Sequence, residues 1–146
     1  MFEQNIIPNT SHKPQGDWLT FEFIPIEGVS SFIPVDGKVL ISLNADFRKI
    51  FCTDIDSQTT QNEDGSYQHS ITTNVALRPR ALHGRLEAMA ATGRYIVRLT
   101  DFIGNREIFG TPETPLRFSW TESSSQEELT ELTFYGDTLA GSLIQL

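Results

Sequence analysis

The chain has a single cysteine, Cys52, among 146 residues. An internal disulfide and any zinc site built from several thiolates are therefore excluded. In its setting, Ile50-Phe51-Cys52, the thiol reads as a small buried hydrophobe. No apolar run approaches the roughly 20 residues that span a bilayer as a helix, so neither membrane insertion nor a membrane partner is expected. Basic residues are scarce, 11 against 19 acidic ones for a formal net charge of -8. That balance disfavours a module that grips duplex DNA by neutralising phosphates. The three histidines (His12, His69, His83) show no HxxxH or HExxH spacing. There is no G-x-S-x-G elbow, no G-x-G-x-x-G and no P-loop. The first 16 residues lack a basic stretch followed by an apolar one, so no secretory signal is expected. An enzyme is not expected, nor a cofactor.

What is present is β-structure. Residues 1–16 read as an extended N-terminal arm punctuated by Pro8, Pro14 and Gly16, and residues 17–146 as one β-rich domain. Residues 18–26 alternate, with Leu19, Phe21 and Phe23 on one face. Short strands follow at 38–43 and 47–52. Residues 54–66 contain one apolar side chain and read as a loop or hairpin tip. Its acids, Asp54, Asp56, Glu63 and Asp64, start like a calcium loop but lack the turn glycine and the closing bidentate acid. From Tyr67 to Leu77 the alternation is clean enough for a long strand, one arm of a hairpin projecting past the core. A helix starts at Pro79, carries the stripe Leu82, Leu86 and Met89, and stops at Gly93 as a left-handed cap. Residues 94–102 and 106–109 form a hairpin, and alternation over 116–121 and 129–135 adds strands, with Trp120 in the core. The sum is eight to nine strands and one helix. It predicts a mainly β fold, a β-sandwich or flattened barrel with one flanking α-helix and a long hairpin.

Charge is unevenly distributed along the chain. Arg78, Arg80, Arg85, Arg94 and Arg98 stand against one acid, Glu87. Seven acids between residues 107 and 137, among them Glu127, Glu128 and Glu131, stand against one base, Arg117. Two neighbouring surfaces could pair these charges within the chain. Complementary faces on successive subunits are the alternative, and those arginines with Glu127, Glu128 and Glu131 are the candidate assembly interface.

The run YIVRLTDFIGNREIFGTPETPLRFSW followed by ELTFYGDT resembles small structural proteins of tailed phages and prophages. The residues that carry the likeness are Asp101, Gly104, Asn105, Gly110, Pro115, Leu116, Phe118, Leu132, Phe134, Gly136 and Asp137. They cover roughly residues 94–140. The resemblance implies a tail or neck component, tail-tube-like in plan, that joins a homo-oligomeric ring, with six subunits as the candidate number. It implies other virion proteins as partners, at most passive contact with DNA in a lumen, and a place in the virion after synthesis in the host cytoplasm. The rival reading is a monomeric or dimeric β-sandwich that binds carbohydrate or peptide through exposed aromatics such as Trp18, Phe32, Tyr67 or Tyr135.

Overall fold

The computed structural model describes residues 10–13, 18–52, 54–76, 79–122 and 129–146. Among these it has twelve strands: β1 (Thr10–Lys13), β2 (Trp18–Pro25), β3 (Val29–Val35), β4 (Lys38–Leu43), β5 (Arg48–Ile50), β6 (Ile55–Gln61), β7 (Tyr67–Ala76), β8 (Tyr95–Asp101), β9 (Arg106–Phe109), β10 (Arg117–Glu122), β11 (Leu129–Thr138) and β12 (Leu143–Gln145). One helix, α1 (Pro79–Thr92), separates β7 from β8. The five-stranded sheet has the order β1-β6-β7-β11-β10, and the seven-stranded sheet the order β3-β4-β12-β9-β8-β2-β5. The result is a β-sandwich with one flanking helix, in which neither sheet closes into a barrel. Residues 10–13 of the expected arm pair with β6 as an edge strand, while 1–9 and 14–16 lie outside the described residues.

The space between the sheets is filled by Phe21, Phe23, Tyr95, Val97, Leu99 and Phe109 from one side and by Ile55, Ile71, Val75, Phe118, Leu132 and Phe134 from the other. Phe134 is the hub. Its ring centroid lies 5.0 Å from Phe118, 5.4 Å from Phe23, 5.6 Å from Phe21 and 5.6 Å from Tyr95. The helix closes one side of the sandwich, with Leu86 buried and Met89 packed beside the core. Gly93 accepts no left-handed cap, because its φ is not positive. A side chain there would instead press on the Tyr95 ring, which would have to shift to admit a Cβ.

Four expectations are corrected. Residues 55–61 are strand β6, not loop: Ile55 and Ser57 are buried on β6, and only residues 62–66 make the turn to β7. That turn is tight, with Asn62 N–H donating to Ser66 O and Gly65 at φ 91°. The β6–β7 hairpin does not project past the core, since every β7 residue is paired with β11. A bulge between Trp18 and Thr20 turns Trp18 inward and leaves Leu19 in solvent, off the Phe21/Phe23 face. Trp120 is half-buried at the rim of the core rather than inside it.

The seven-stranded sheet is apolar on its other face as well. Ile24, Val39, Ile96, Ile108 and Leu143 form a second buried cluster there, with Phe32, Ile41 and Phe47 packed around it. The sheet must coil over this cluster for a geometric reason. Flat, β2 and β3 would stand five strand spacings apart, about 24 Å. They are joined by the three residues Ile26–Gly28, a link that reaches at most about 15 Å. The link crosses directly over the cluster, where a Cβ on Gly28 would lie 2.8 Å from Ile24.

Replacing Phe134 with alanine is expected to cost about 3–5 kcal/mol in urea unfolding, and Trp120→Ala distinctly less. Equal losses at the two positions, or a loss at Phe134 under about 1 kcal/mol, would show that the core is centred elsewhere.

Candidate functional site

Coiling leads β12, β4 and β3 away from the five-stranded sheet. Directly opposed residues of neighbouring strands point to the same face. The inward face can therefore be followed from Val97 and Leu99 on β8 to Phe109 and Glu107 on β9. It continues to Ile144 opposite Glu107, to Lys38 beside Ile144, and to Val35 opposite Lys38 and Ile33 opposite Leu40. Over β8 and β9 this face is core. Beyond them it is uncovered: Ile33 is 50% exposed, Val35 55%, Leu40 50%, Ile144 36% and Leu146 66%. None of these five side chains belongs to either buried cluster. The strand at the end, β3, pairs only with β4 among the described residues and leaves its other edge free.

Where the two sheets part, a cleft of about 280 Å³ opens between β6 and β7 on one side and β9 and residues 141–142 on the other. Trp18, Ser57, Thr59, Tyr67, Glu107 and Ser142 line it. The Trp18 indole N–H donates to Ser57 Oγ at 3.1 Å, and Ser142 Oγ donates to Glu107 Oε1 at 3.0 Å. Beside it lies His69, fully buried and edge-on to the Phe109 ring at 5.4 Å. The Thr138 hydroxyl donates to the Ala140 carbonyl, so toward His69 Nε2, 3.0 Å away, it acts as acceptor. Nε2 then carries the proton, and Nδ1 accepts from Thr59 Oγ1 at 2.9 Å. Burial holds the His69 pKa below its usual value of 6.5, against smaller upward effects of the Ala140 carbonyl and Asp137. Ser57 and Thr59 explain why β6 is polar and yet a strand: the hydroxyls it turns inward serve Trp18 and His69.

Of the charged residues singled out in the sequence, those whose side chains are described do not gather in one place. Arg98 lies on the outer face of the seven-stranded sheet, over the Phe47 ring at 4.0 Å. Its Nε donates to Glu22 Oε1 at 2.9 Å and its Nη1 to Gln145 Oε1 at 3.1 Å, with 13% of the side chain exposed. That charge is matched inside the chain. Arg94 follows α1 and donates from Nη1 to the Gly93 carbonyl at 2.8 Å. Arg85 is exposed on α1, and Glu131 is exposed on the outer face of the five-stranded sheet, between Thr121 and Asn74. Arg80 is in α1. Arg78, Glu127 and Glu128 lie outside the described residues.

The acids of residues 54–64 are divided by the length of β6. Asp54 accepts from Asn74 N–H at 3.2 Å and from its Nδ2 at 3.3 Å. Asp64 accepts from Ser66 N–H and Oγ, which hold its carboxyl below the usual range. Among the described residues no group of three or more His, Cys, Asp or Glu side chains converges on a metal position, and no helix is long and apolar enough to cross a membrane. The four aromatics of the rival reading are scattered too. Trp18 is buried and Tyr67 is beside it at the cleft, Phe32 packs on the second cluster, and Tyr135 is exposed on β11.

Sequence reasoning missed the uncovered face, although a signal was present. In Val39-Leu40-Ile41 apolar residues fall on both faces of one strand, which a sheet with one wet face does not need. No family model, curated protein or solved structure matches the chain.

His69 gives a pH dependence with a definite sign. Its pKa is lower in the folded state, so below about 6.5 the unfolded chain binds the extra proton and stability falls with pH. The stability that His69 contributes is complete above that value and is lost on acidification toward the folded-state pKa. Denaturant unfolding at pH 7.5 and pH 5 is expected to show a smaller loss on acidification for His69→Gln than for the wild type. An identical loss in both would remove His69 as the cause.

Proposed function

We propose that this chain is a structural subunit of a phage-type virion tail or neck, a tail-tube-like component that self-assembles into rings, and not an enzyme. The observation that carries the reading is the uncovered apolar end of the seven-stranded sheet. Large exposed apolar patches on soluble domains mark interaction sites, and a free edge strand is a template for pairing with another chain. The turn between β8 and β9 adds Phe102 and Ile103, both exposed on a rigid loop whose N–H groups at Ile103 and Asn105 are held by the Asp101 carboxylate. The same turn belongs to the stretch that resembles tail and neck proteins. Among the described residues, exposed Arg85 and Glu131, on different surfaces, are the members of the candidate charged interface that are open to neighbours. A net charge of -8 suits a lumen along which DNA passes without adhering.

The rival, a monomeric or dimeric module that binds carbohydrate or peptide, draws on the cleft beside Tyr67. Its other large aromatic, Trp18, is only 5% exposed and has its N–H bonded to Ser57, which leaves a poor platform.

Native mass over a concentration series, followed by negative-stain imaging, tests the reading. The expected result is a mass that rises with concentration, with rings or short tubes in the images, and a lower assembled fraction for Arg85→Glu. A monomer at every concentration, with no ordered particles, would overturn it.

A further inference from the structure

We infer that the β8–β9 turn of one copy docks by Phe102 and Ile103 into a pocket at the opposite end of the same sheet in the next copy. This rests on the assembly reading above and names the contact that stacks its rings. Phe102 is 63% exposed and Ile103 84%. The loop that carries them is already fixed, since the Asp101 carboxylate accepts from Ile103 N–H at 3.0 Å and from Asn105 N–H at 2.9 Å. Docking a fixed loop costs little ordering entropy. Two adjacent large apolar side chains held in water by a rigid tip have the make-up of a binding anchor.

The pocket, of about 540 Å³, lies where the link at residues 26–28 passes the connection from β4 to β5. That volume is within the range of small-molecule sites, so it has room for two side chains. Pro25, Ala45 and Phe47 give it apolar walls, and Glu27, Asp46 and Arg48 are its charged groups.

Charge and position decide that the occupant is another copy. Two acids against one base leave the pocket negative, and Glu27 and Asp46 are both exposed. The tip brings the opposite sign. Its Asp101 is turned into its own loop, and Arg106, next to the turn, is exposed. Among the described residues no salt bridge or side-chain hydrogen bond engages Arg106, Glu27 or Asp46. β2 and β8 pair from Trp18 opposite Asp101 to Pro25 opposite Tyr95. Tip and pocket therefore lie at opposite ends of one ladder, roughly 23 Å of strand apart. A contact between two different patches is heterologous, and joined in line it repeats without closing. It stacks copies along β2 and β8 and leaves the bare face of β12, β4 and β3 to neighbours within a ring.

Negative-stain imaging with sedimentation velocity, on two single variants and their mixture, tests the inference. Ile103→Asp spoils the tip, and Ala45→Arg fills the pocket with a long cation. Both positions are exposed, so each urea midpoint is expected near wild type. Wild type is expected to give stacks that lengthen with concentration. Each variant alone is expected to give single rings, with stacking weakened by more than about tenfold. Mixed, the two variants keep one working tip and one working pocket between them, so rings of one pair with rings of the other and stop at two. Arg106→Glu, expected to weaken stacking on the order of tenfold, serves if Ile103→Asp fails to fold. Stacks undiminished in either variant, a mixture without pairs, or wild-type rings that never stack would overturn the tip-to-pocket contact and leave the assembly reading standing. A wild type that is monomeric throughout would overturn both.

Discussion

One constraint organises the molecule: the central strands of the larger sheet are apolar on both faces. Neighbouring residues on β2, β8 and β9 are all buried, as the pairs Phe23/Ile24, Ile96/Val97 and Ile108/Phe109 show. Such a sheet is stable in water only between two apolar layers, because burying each of these side chains contributes about 1.5–3 kcal/mol. The first layer is the five-stranded sheet. The chain supplies the second by coiling the larger sheet over itself, with the short link at residues 26–28 holding the coil and Gly28 letting it pass against Ile24. The parallel pair of β4 and β12 follows from the same coil, since it brings the end of the chain beside a strand more than a hundred residues earlier.

The coil has a consequence at the other face. Strands that curve toward the second cluster curve away from the first, so the five-stranded sheet cannot follow them. The cleft beside His69 and Glu107 is the point of separation, and the bare face begins at Ile144. Core and candidate surface are therefore one continuous sheet face, apolar for the most part and interrupted by Glu107 and Lys38, divided by where its partner sheet ends.

Much of this was legible in local patterns and some was not. β7 announced itself because Ile71 and Val75 alternate with Gln68, Ser70, Thr72 and Asn74, the pattern of a strand with one wet face. Pro79 marked the helix start, and Gly104-Asn105 the β8–β9 turn. β6 was hidden because two of its inward positions are Ser57 and Thr59, chosen for hydrogen bonds to Trp18 and His69 and not for hydrophobicity. The inward turn of Trp18 depends on a bulge, and a bulge breaks the period on which the reading relies. Arg98 looked like surface charge, yet its partners Glu22, Phe47 and Gln145 come from three distant parts of the sequence. No local window contains them. The candidate surface was hidden for a related reason: whether Leu40 is covered depends on how far the other sheet extends.

The chain itself provides the comparison that gives the bare face meaning. On the five-stranded sheet the outward positions of β7 are Gln68, Ser70, Thr72 and Asn74, and those of β11 include Glu131, Thr133 and Asp137. Thr72 and Thr133 even join hydroxyls across the strands at 3.2 Å. That is how this sequence treats a sheet face that meets water. On β12, β4 and β3 the corresponding positions are Ile144, Leu40, Ile33 and Val35, although polar β-formers such as threonine would fit the same pleat. Their side chains are exposed and belong to neither buried cluster. A sequence that makes one outer face mostly polar and leaves another largely apolar is treating the second as a surface to be covered.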